Sequence, residues 1–109
     1  MENIAILTTD AEVAELAGQL AAETAIAVDL EADSLHNYRE KICLMQISTR
    51  QRTVLVDTLT ATDLVPLQAV FADRAIRKIF HAADYDLRSL KRDFDLNVRG
   101  LFDTMISAQ

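Results

Sequence analysis

The sequence has little of several residues that mark particular classes of protein. Its 109 residues include one cysteine, one proline, two glycines and no tryptophan. A single cysteine cannot form an internal disulfide, which excludes a disulfide-stabilised secreted scaffold. The scarcity of proline and glycine excludes a collagen-like or low-complexity chain. No apolar stretch approaches the roughly 20 residues that cross a bilayer, so we expect no membrane partner.

Basic residues are also scarce, with 11 Lys and Arg against 17 Asp and Glu and a formal net charge of −6. Phosphate backbones are bound by neutralising them with Lys and Arg, so this balance argues against passive, charge-driven binding of nucleic acid. An enzyme that reaches phosphate through metal ions is not excluded, because divalent cations reverse the charge of a carboxylate cluster.

The cellular compartment is suggested by two further features of the sequence. The N-terminus, Met1-Glu2-Asn3, lacks the basic flank and apolar core of a signal peptide. The single cysteine, Cys43, lies in an apolar segment, where we expect a buried and inert core residue. Together these features predict a cytoplasmic protein.

The order of apolar patterns predicts one mixed α/β domain over residues 1–109, with a modest single core. The predicted strands are 4–7, 26–30, 42–48, 53–57 and 76–80. The predicted helices are 10–22, 67–71 and 84–94, with Thr9 or Asp10 capping the first and Asp84 capping the last. Asp103 or Thr104 could cap another helix, of which residues up to 109 would form no more than about two turns.

A pair of carboxylates, Asp29 and Glu31, is the most informative feature that the sequence contains. They end the apolar run 25–30, and in a strand residues i and i+2 point to the same face. Like charges held so close repel each other, and a hard divalent cation such as Mg²⁺ takes oxygen ligands of this kind. Such pairs also occur at strand ends without a metal, so the pair alone does not establish a metal site.

Asp86 lies in a second segment that could carry chemistry. An apolar strand ends at Phe80, and Asp86 falls in the first turn of the helix that follows it. Ligands of open α/β sheets bind near strand ends, which places Asp86 at a candidate site. An acidic residue in a first turn also stabilises the helix dipole, and for Asp86 alone that explanation is preferred.

Together, these segments resemble the ribonuclease D-type 3′–5′ exonucleases of the DEDD superfamily. Residues 28–31 and 44–48 look like the first exonuclease motif of that family. Residues 80–90, followed by 102–104, look like the second motif. The order, the spacing and the flanking residues agree, and the resemblance covers nearly the whole chain from Ile4.

The resemblance implies a ribonuclease H-like fold, in which helices flank a mixed sheet, and removal of nucleotides from the 3′ end of RNA or single-stranded DNA. It implies that Asp29, Glu31 and Asp86 are catalytic ligands of two divalent cations, Mg²⁺ or Mn²⁺, in a two-metal mechanism. By similarity, Glu31 would also face the terminal 3′ hydroxyl. The backbone around Leu30 would approach the last nucleotide.

The sequence departs from the family's pattern after the second motif. Members carry a third motif in which a Tyr or His lies four residues before a final Asp, and no segment after Asp86 has this pattern. We therefore expect residues 1–109 to be the N-terminal part of an exonuclease domain, truncated before the C-terminal helices. Its activity alone is expected to be weak or absent. An apolar surface left uncovered would favour self-association.

Two other functions stay open at this point. The chain could be a catalytically silent ribonuclease H-like binding or assembly module. A less favoured alternative is a phosphoacceptor receiver domain, in which Asp57 at the end of the run 53–57 would be the acceptor. Receivers also need an acidic pair after the first strand, and the early acidic residues Asp10 and Glu12 are instead predicted to start a helix.

Several polar residues near the motifs are expected to have structural roles. His36 and Tyr38 lie in a predicted polar loop, where solvation is the simpler explanation. His81 and Gln46 are expected to be hydrogen-bonded within the core, and Asp103 to cap the last turn. A concentration of basic residues could meet phosphates or form a solvated helix face: Arg74, Arg77, Lys78, Arg88, Lys91 and Arg92.

Overall fold

The computed structural model describes residues 4–33 and 41–107, and within these ranges six strands form one sheet. The strands are β1 (Ile4–Leu7), β2 (Ala25–Asp33), β3 (Lys41–Ser48), β4 (Thr53–Asp57), β5 (Arg77–Phe80) and β6 (Leu101–Asp103). The helices are α1 (Asp10–Leu20), α2 (Gln68–Phe71), α3 (Ala83–Phe94) and α4 (Thr104–Ser107), with a 3₁₀ turn, Val65–Leu67, before α2. In the described part, no helix is long and apolar enough to cross a membrane.

The sheet is mixed, and its strand order is β1-β4-β3-β2-β5-β6. The strand β3 runs antiparallel to both β2 and β4, whereas the pairs β1–β4, β2–β5 and β5–β6 are parallel. A receiver domain has a doubly wound parallel sheet, so the receiver interpretation is wrong. Asp57 lies on β4 beside the antiparallel β3, and its Oδ1 accepts the N–H of Leu59 at 3.0 Å as part of a turn.

Side-chain alternation places the core on one face of the sheet and leaves the other face open. In β2, Ile26 and Val28 are buried while Ala27 and Asp29 are exposed. The helices α1 and α2 and the 3₁₀ turn cover the buried face through their apolar side chains, which are Val13, Leu16, Ala17, Leu20, Leu67, Val70 and Phe71. The open face is therefore where polar side chains of β2 are accessible.

The helix α1 begins as the sequence predicts. Thr9 Oγ1 accepts the N–H of Glu12 at 3.2 Å, and the Glu12 carboxylate accepts the N–H of Thr9 at 3.2 Å. This reciprocal capping box satisfies two backbone donors that the helix itself leaves unpaired. Hydrogen bonds from the Thr8 backbone and the Thr9 hydroxyl lower the pKa of Glu12.

The strand β2 is longer than predicted, because it continues past Leu30 to Asp33. The extra length comes from antiparallel pairing with β3, in which Asp29 lies opposite Gln46 and Glu31 opposite Leu44. A polar sequence suggested the end of the strand, but the partner strand supplies hydrogen bonds that no local pattern reveals. The two carboxylates consequently lie within a strand and not at its end.

Three residues expected in the core are not buried, and two loop residues are outside the described part. Cys43 is half-buried, and desolvation followed by the charges of Asp33 and Glu31 raises the pKa of its thiol. Gln46 and His81 are both exposed, so the predictions of core positions for them are wrong. The residues predicted to lie in the polar loop, His36 and Tyr38, fall outside the described ranges.

A short strand that the sequence did not predict, β6, pairs in parallel with β5. It follows Gly100, whose carbonyl accepts the N–H of Lys78 at 2.9 Å and whose φ is +71°. A Cβ atom at this position would lie 2.8 Å from the carbonyl oxygen of Ile76. Both the left-handed conformation and the close approach of two backbones therefore require glycine there.

We predict opposite effects for the two glycines of the chain. Gly100→Ala should lower the free energy of unfolding by about 1–3 kcal/mol, because it combines backbone strain with a clash against the backbone at Ile76. Gly18→Ala should raise it by up to about 1 kcal/mol, because Gly18 lies in α1 with no atom within 4 Å of an added Cβ. Urea unfolding measures both changes, and a shift in the same direction for both variants would contradict the prediction.

Candidate active site

The candidate site lies where β2 and β5 separate. The two strands pair in parallel only from Ala25 to Ala27, after which β5 ends at Phe80 while β2 continues beside β3. Asp29 and Glu31 lie on this continuation, where both are exposed on the open face. Their Cα atoms are about 7 Å apart, as expected for residues i and i+2 of a strand. Divergence of neighbouring strands leaves a crevice, which is where open α/β sheets bind ligands.

The helix α3 brings Asp86 into this crevice. The chain leaves β5 at Phe80, turns at His81 and Ala82, and begins α3 at Ala83, so Asp86 is half-buried in the first turn. Burial raises the pKa of Asp86, and the negative charge of Asp29 raises it further. The fold thus places Asp86 close enough to Asp29 for their charges to interact.

The chemistry of these carboxylates fits a hard divalent cation. Asp29, Glu31 and Asp86 offer only oxygen ligands, and a cation would remove the repulsion between Asp29 and Asp86. Over residues 4–33 and 41–107, no three His, Cys, Asp or Glu side chains already lie close enough together to hold a metal ion. Because Asp29 and Glu31 are exposed, their side chains are free of packing that would prevent rotation toward a shared cation.

Two neighbours of Asp29 complete the surroundings of the site. The side chain of Leu30 is half-buried and packs against the core, so only the backbone of Leu30 can approach a ligand. That backbone N–H donates to Asp29 Oδ1 at 3.1 Å. Gln46 is exposed directly opposite Asp29, and opposite residues have Cβ atoms about 5 Å apart. Sequence reasoning missed Gln46 as a site neighbour because hairpin register is not a local property.

The start of α3 is held from another strand. Ala82 is the N-cap residue, adopts φ 55° and ψ 59°, and has no side chain that could cap the helix. The carboxylate of Asp103, at the end of β6, accepts the N–H of Ala82 at 3.0 Å and that of Ala83 at 2.7 Å. The same carboxylate accepts the N–H of Met105 at 2.9 Å, which confirms the prediction that Asp103 caps the last turn.

The predicted cap of α3, Asp84, does not cap it. Asp84 lies inside the first turn with an exposed side chain, and its carboxylate pairs with Arg88 at 3.3 Å. The prediction assumed that α3 begins after Asp84, because Asp is a preferred N-cap residue. In the structure the helix begins two residues earlier, at its N-cap residue Ala82. The carboxylate that caps α3 is that of Asp103, which is distant in the sequence.

The six basic residues that could meet phosphates or form a solvated helix face do not form one surface. Three of them pair with acidic neighbours along α3 and its C-terminal end, in the pairs Arg88–Asp84, Lys91–Asp95 and Arg92–Asp93. Lys78 is buried, where its ammonium donates to the carbonyl of Asp73 and desolvation lowers its pKa. Lys78 therefore has a structural role, whereas the pairs of Arg88 and Lys91 lie on the solvated surface of α3.

The other two basic residues, Arg74 and Arg77, line a cleft with Arg50. The cleft has a volume of about 620 Å³ and includes Ala25, the first residue of β2, whereas Asp29 lies in the middle of that strand. Four residues of strand separate these positions, a distance of about 13 Å. Basic side chains therefore lie beside the start of β2, and the carboxylates lie farther along the same strand.

Comparison with known proteins decides the family. A family described as 3′–5′ exonuclease matches residues 4–109, nearly the whole chain. The chain belongs to the 3′–5′ exonuclease family. This confirms the predicted resemblance to ribonuclease D-type exonucleases, and the mixed α/β sheet with flanking helices matches their catalytic cores.

Three relatives show how much of a larger protein this exonuclease-family chain represents. The exosome complex exonuclease RRP6 of Saccharomyces cerevisiae is 45% identical over 97 residues, which cover 88% of the chain and 13% of that protein. The catalytic core of RRP6 from Trypanosoma brucei is 40% identical with a TM-score of 0.90, over 95% of this chain and 29% of that one.

Escherichia coli RNase D, an exoribonuclease involved in structured RNA processing, is 34% identical with a TM-score of 0.88. That comparison covers 97% of this chain and 28% of the RNase D chain. The exonuclease-family chain thus spans less than a third of the length of each of these three proteins.

We predict that Asp29→Asn lowers the pKa of Asp86 toward its ordinary value, because it removes a negative charge that opposes ionisation of Asp86. The part of the shift that comes from burial should remain. Titration of the Asp86 carboxyl carbon by NMR in the absence of divalent cations measures the change. Glu31→Gln removes the same charge from the same strand and serves as the control, with a smaller expected effect. An unchanged pKa of Asp86 in Asp29→Asn would show that the two groups do not interact.

Proposed function

We propose that this fold hydrolyses phosphodiester bonds from the 3′ end of a nucleic acid, with Asp29, Glu31 and Asp86 as catalytic ligands of two divalent cations, Mg²⁺ or Mn²⁺. The observation that carries the proposal is the half-buried position of Asp86 at the crevice beside Asp29, where burial, and then the charge of Asp29, raise the pKa of Asp86. An unfavourable carboxylate pair in a crevice is typical of a site built for a cation. Family membership supports the type of reaction.

Each residue has a defined task in this proposal. When bound, the cations supply a water of lowered pKa and stabilise charge on the leaving 3′ oxygen. Asp29 and Asp86 would hold the cations between β2 and α3. Glu31, exposed on the same face as Asp29, would also meet the terminal 3′ hydroxyl, and the backbone at Leu30 would contact the last nucleotide. Because the protein itself forms no covalent bond with the substrate in this proposal, its main contribution to the rate is to hold the reacting groups in the right geometry.

RNA is the proposed substrate, because the similar E. coli RNase D is an exoribonuclease and the similar S. cerevisiae RRP6 is an exosome exonuclease. Single-stranded DNA is the alternative to be tested beside it. The proposed compartment is the cytoplasm, on the basis of the single cysteine.

We also propose that residues 1–109 contribute the N-terminal part of the catalytic domain. The chain supplies the first two motifs, and no Tyr or His precedes an Asp by four residues after Asp86. Without the final Asp of the third motif, a cation would be held by three carboxylates only and would be bound more weakly. The isolated chain is therefore expected to be weakly active or inactive.

The decisive experiment digests a 5′-labelled single-stranded RNA, and its DNA counterpart, with this chain and Mn²⁺. Asp29 and Glu31 are replaced together by Ala as the control, since both are exposed and their loss leaves the core intact. A ladder that shortens from the 3′ end, and that the double variant and EDTA both abolish, is the expected product. Its yield should be low, because the third motif is absent from the chain.

One result would count against part of this proposal, and another would decide between weak activity and none. A ladder that persists in the double variant would remove Asp29 and Glu31 from the catalytic set. Absence of any ladder from the folded chain, even with stoichiometric enzyme, would show that three ligands do not suffice. In that case, adding Asp86→Asn to a Mn²⁺ binding measurement would establish whether the metal site exists without activity.

A second candidate function, assembly, is favoured by the open face of the sheet. Apolar side chains are accessible there on the edge strand β1, where Ile4 is 53% and Ile6 is 64% exposed. The face is acidic at Asp29 and basic at Arg77. Two copies that pair face to face in opposite directions would bury the apolar side chains and bring each acidic end against a basic end. We propose a second copy of this chain as the occupant.

Sedimentation velocity at micromolar concentration tests this pairing. We expect a concentration-dependent dimer that Ile6→Asp weakens at least tenfold, because a charge would be buried in the shared apolar surface. Val65→Asp is the matched control: Val65 is 71% exposed on the 3₁₀ turn and away from the open face. A clean monomer at all concentrations, or equal weakening by both substitutions, would exclude pairing through this face.

A further inference from the structure

We infer that Asp103 is a positioning residue for the proposed metal site, acting through the turn that sets the place of Asp86. The inference rests on the proposed function, because it concerns how one of the proposed ligands is held. Asp103 lies on β6 and its role depends on backbone hydrogen bonds to the turn before α3. It would contact neither the cation nor the substrate.

The first step is the geometry of the turn. Both carboxylate oxygens of Asp103 accept backbone N–H groups there, from Ala82 at 3.0 Å and from Ala83 at 2.7 Å. Ala82 is in the left-handed region, which residues other than glycine adopt at a cost and only when the surroundings impose it. Asp103 supplies that constraint, because alanine has no side chain with which to cap the helix itself.

The second step is a set of contacts that fixes Asp103 relative to β5. Asp103 pairs with Phe80 in the β5–β6 register. The next residue, Thr104, donates its hydroxyl to the carbonyl of Phe80 at 3.3 Å, and its Oγ1 lies 2.9 Å from His81 Nδ1. The end of β6 is thus bonded to every residue of the turn from Phe80 to Ala83.

The third step connects the turn to Asp86. Asp86 lies three residues after Ala83, within one helical turn, so a change in the direction in which α3 begins moves its carboxylate directly. The far end of α3 is also held, since Asp93 accepts the N–H of Ile42 on β3 at 2.8 Å. Burial raises the pKa of Asp93, but the hydrogen bonds from Arg92 and Ile42 and the charges of Arg92 and Lys41 lower it on balance. With both ends fixed to the sheet, α3 holds Asp86 at a defined distance from Asp29.

A positioning role differs from general stabilisation in what a substitution changes. Removal of a group that hydrogen-bonds directly to a metal ligand typically lowers metal affinity 10–100-fold, and that range sets the scale for Asp103, which acts on Asp86 through the backbone of the turn. A residue that only stabilises the fold should leave the affinity of the folded molecules unchanged. Metal affinity and stability must therefore be measured on the same variants.

The experiment compares Asp103→Ala and Asp103→Asn with the wild-type chain by three measurements. These are Mn²⁺ affinity from the electron paramagnetic resonance signal of free Mn²⁺, metal-free amide exchange by NMR, and urea unfolding. Asp103→Ala is expected to lower Mn²⁺ affinity about 10–100-fold. It should also speed exchange at Ala82, Ala83 and the first turn of α3. Asp103→Asn keeps one acceptor oxygen and should fall between Asp103→Ala and the wild type.

Two control variants separate positioning from other effects. Val13→Ala removes buried apolar atoms from α1, far from the turn, and should lower stability while leaving Mn²⁺ affinity unchanged. Asp84→Asn removes a carboxylate from the first turn of α3 and leaves the hydrogen bonds of Asp103 in place, so it should also leave Mn²⁺ affinity unchanged. Loss of affinity in Val13→Ala equal to that in Asp103→Ala would overturn the inference.

Failure of the inference and failure of the proposed function give different results. Wild-type Mn²⁺ affinity in a folded Asp103→Ala or Asp103→Asn chain would overturn the positioning role and leave the proposed metal site standing. If the wild type itself does not bind Mn²⁺, the proposed metal site is wrong. Metal-free exchange then decides the inference: unchanged exchange at residues 82–86 in the variants overturns it, and faster exchange confined to those residues supports it.

Discussion

The placement of two like charges, Asp29 and Asp86, at one crevice is the constraint on which the proposed site depends. Asp29 is fixed by a strand in the middle of the sheet, and Asp86 is fixed by a helix that is anchored at both ends. The buried side chain of Leu90 holds the same helix against the core. Backbone hydrogen bonds at both ends of the helix and the burial of Leu90 thus hold Asp86 near Asp29.

The division of the sheet into a covered face and an open face gives the site its access. Helices pack on the covered face, and alternation along β2 then leaves Ala27, Asp29 and Glu31 on the other. The strand β5 ends before β2 does, so the carboxylates stand beside a gap on that side, while β3 pairs with them on the other side. The same open face carries the apolar side chains that favour assembly. Catalysis and pairing would therefore compete for one surface.

The elements with strong local patterns were predictable, and the contacts between them were not. The capped helix α1 and the strands β1, β3, β4 and β5 follow from hydrophobic runs and the Thr9–Glu12 capping box. The strand β6 has only three residues, and such a short strand exists because β5 lies beside it. The cap of α3 was assigned to Asp84 because local preference favoured it, whereas a residue about twenty positions away supplies it.

The sequence by itself determined the family, the mixed α/β class and the three carboxylates that are proposed to bind metal. Those features could be predicted because motif spacing and hydrophobic alternation are local properties of the sequence. Only the tertiary structure decided that Asp86 meets Asp29, that Gln46 faces Asp29 and that Asp103 holds the turn at Ala82. Each of these depends on pairing between strands or on packing of a helix against the sheet. Such contacts join residues far apart in the chain, where no local pattern records them.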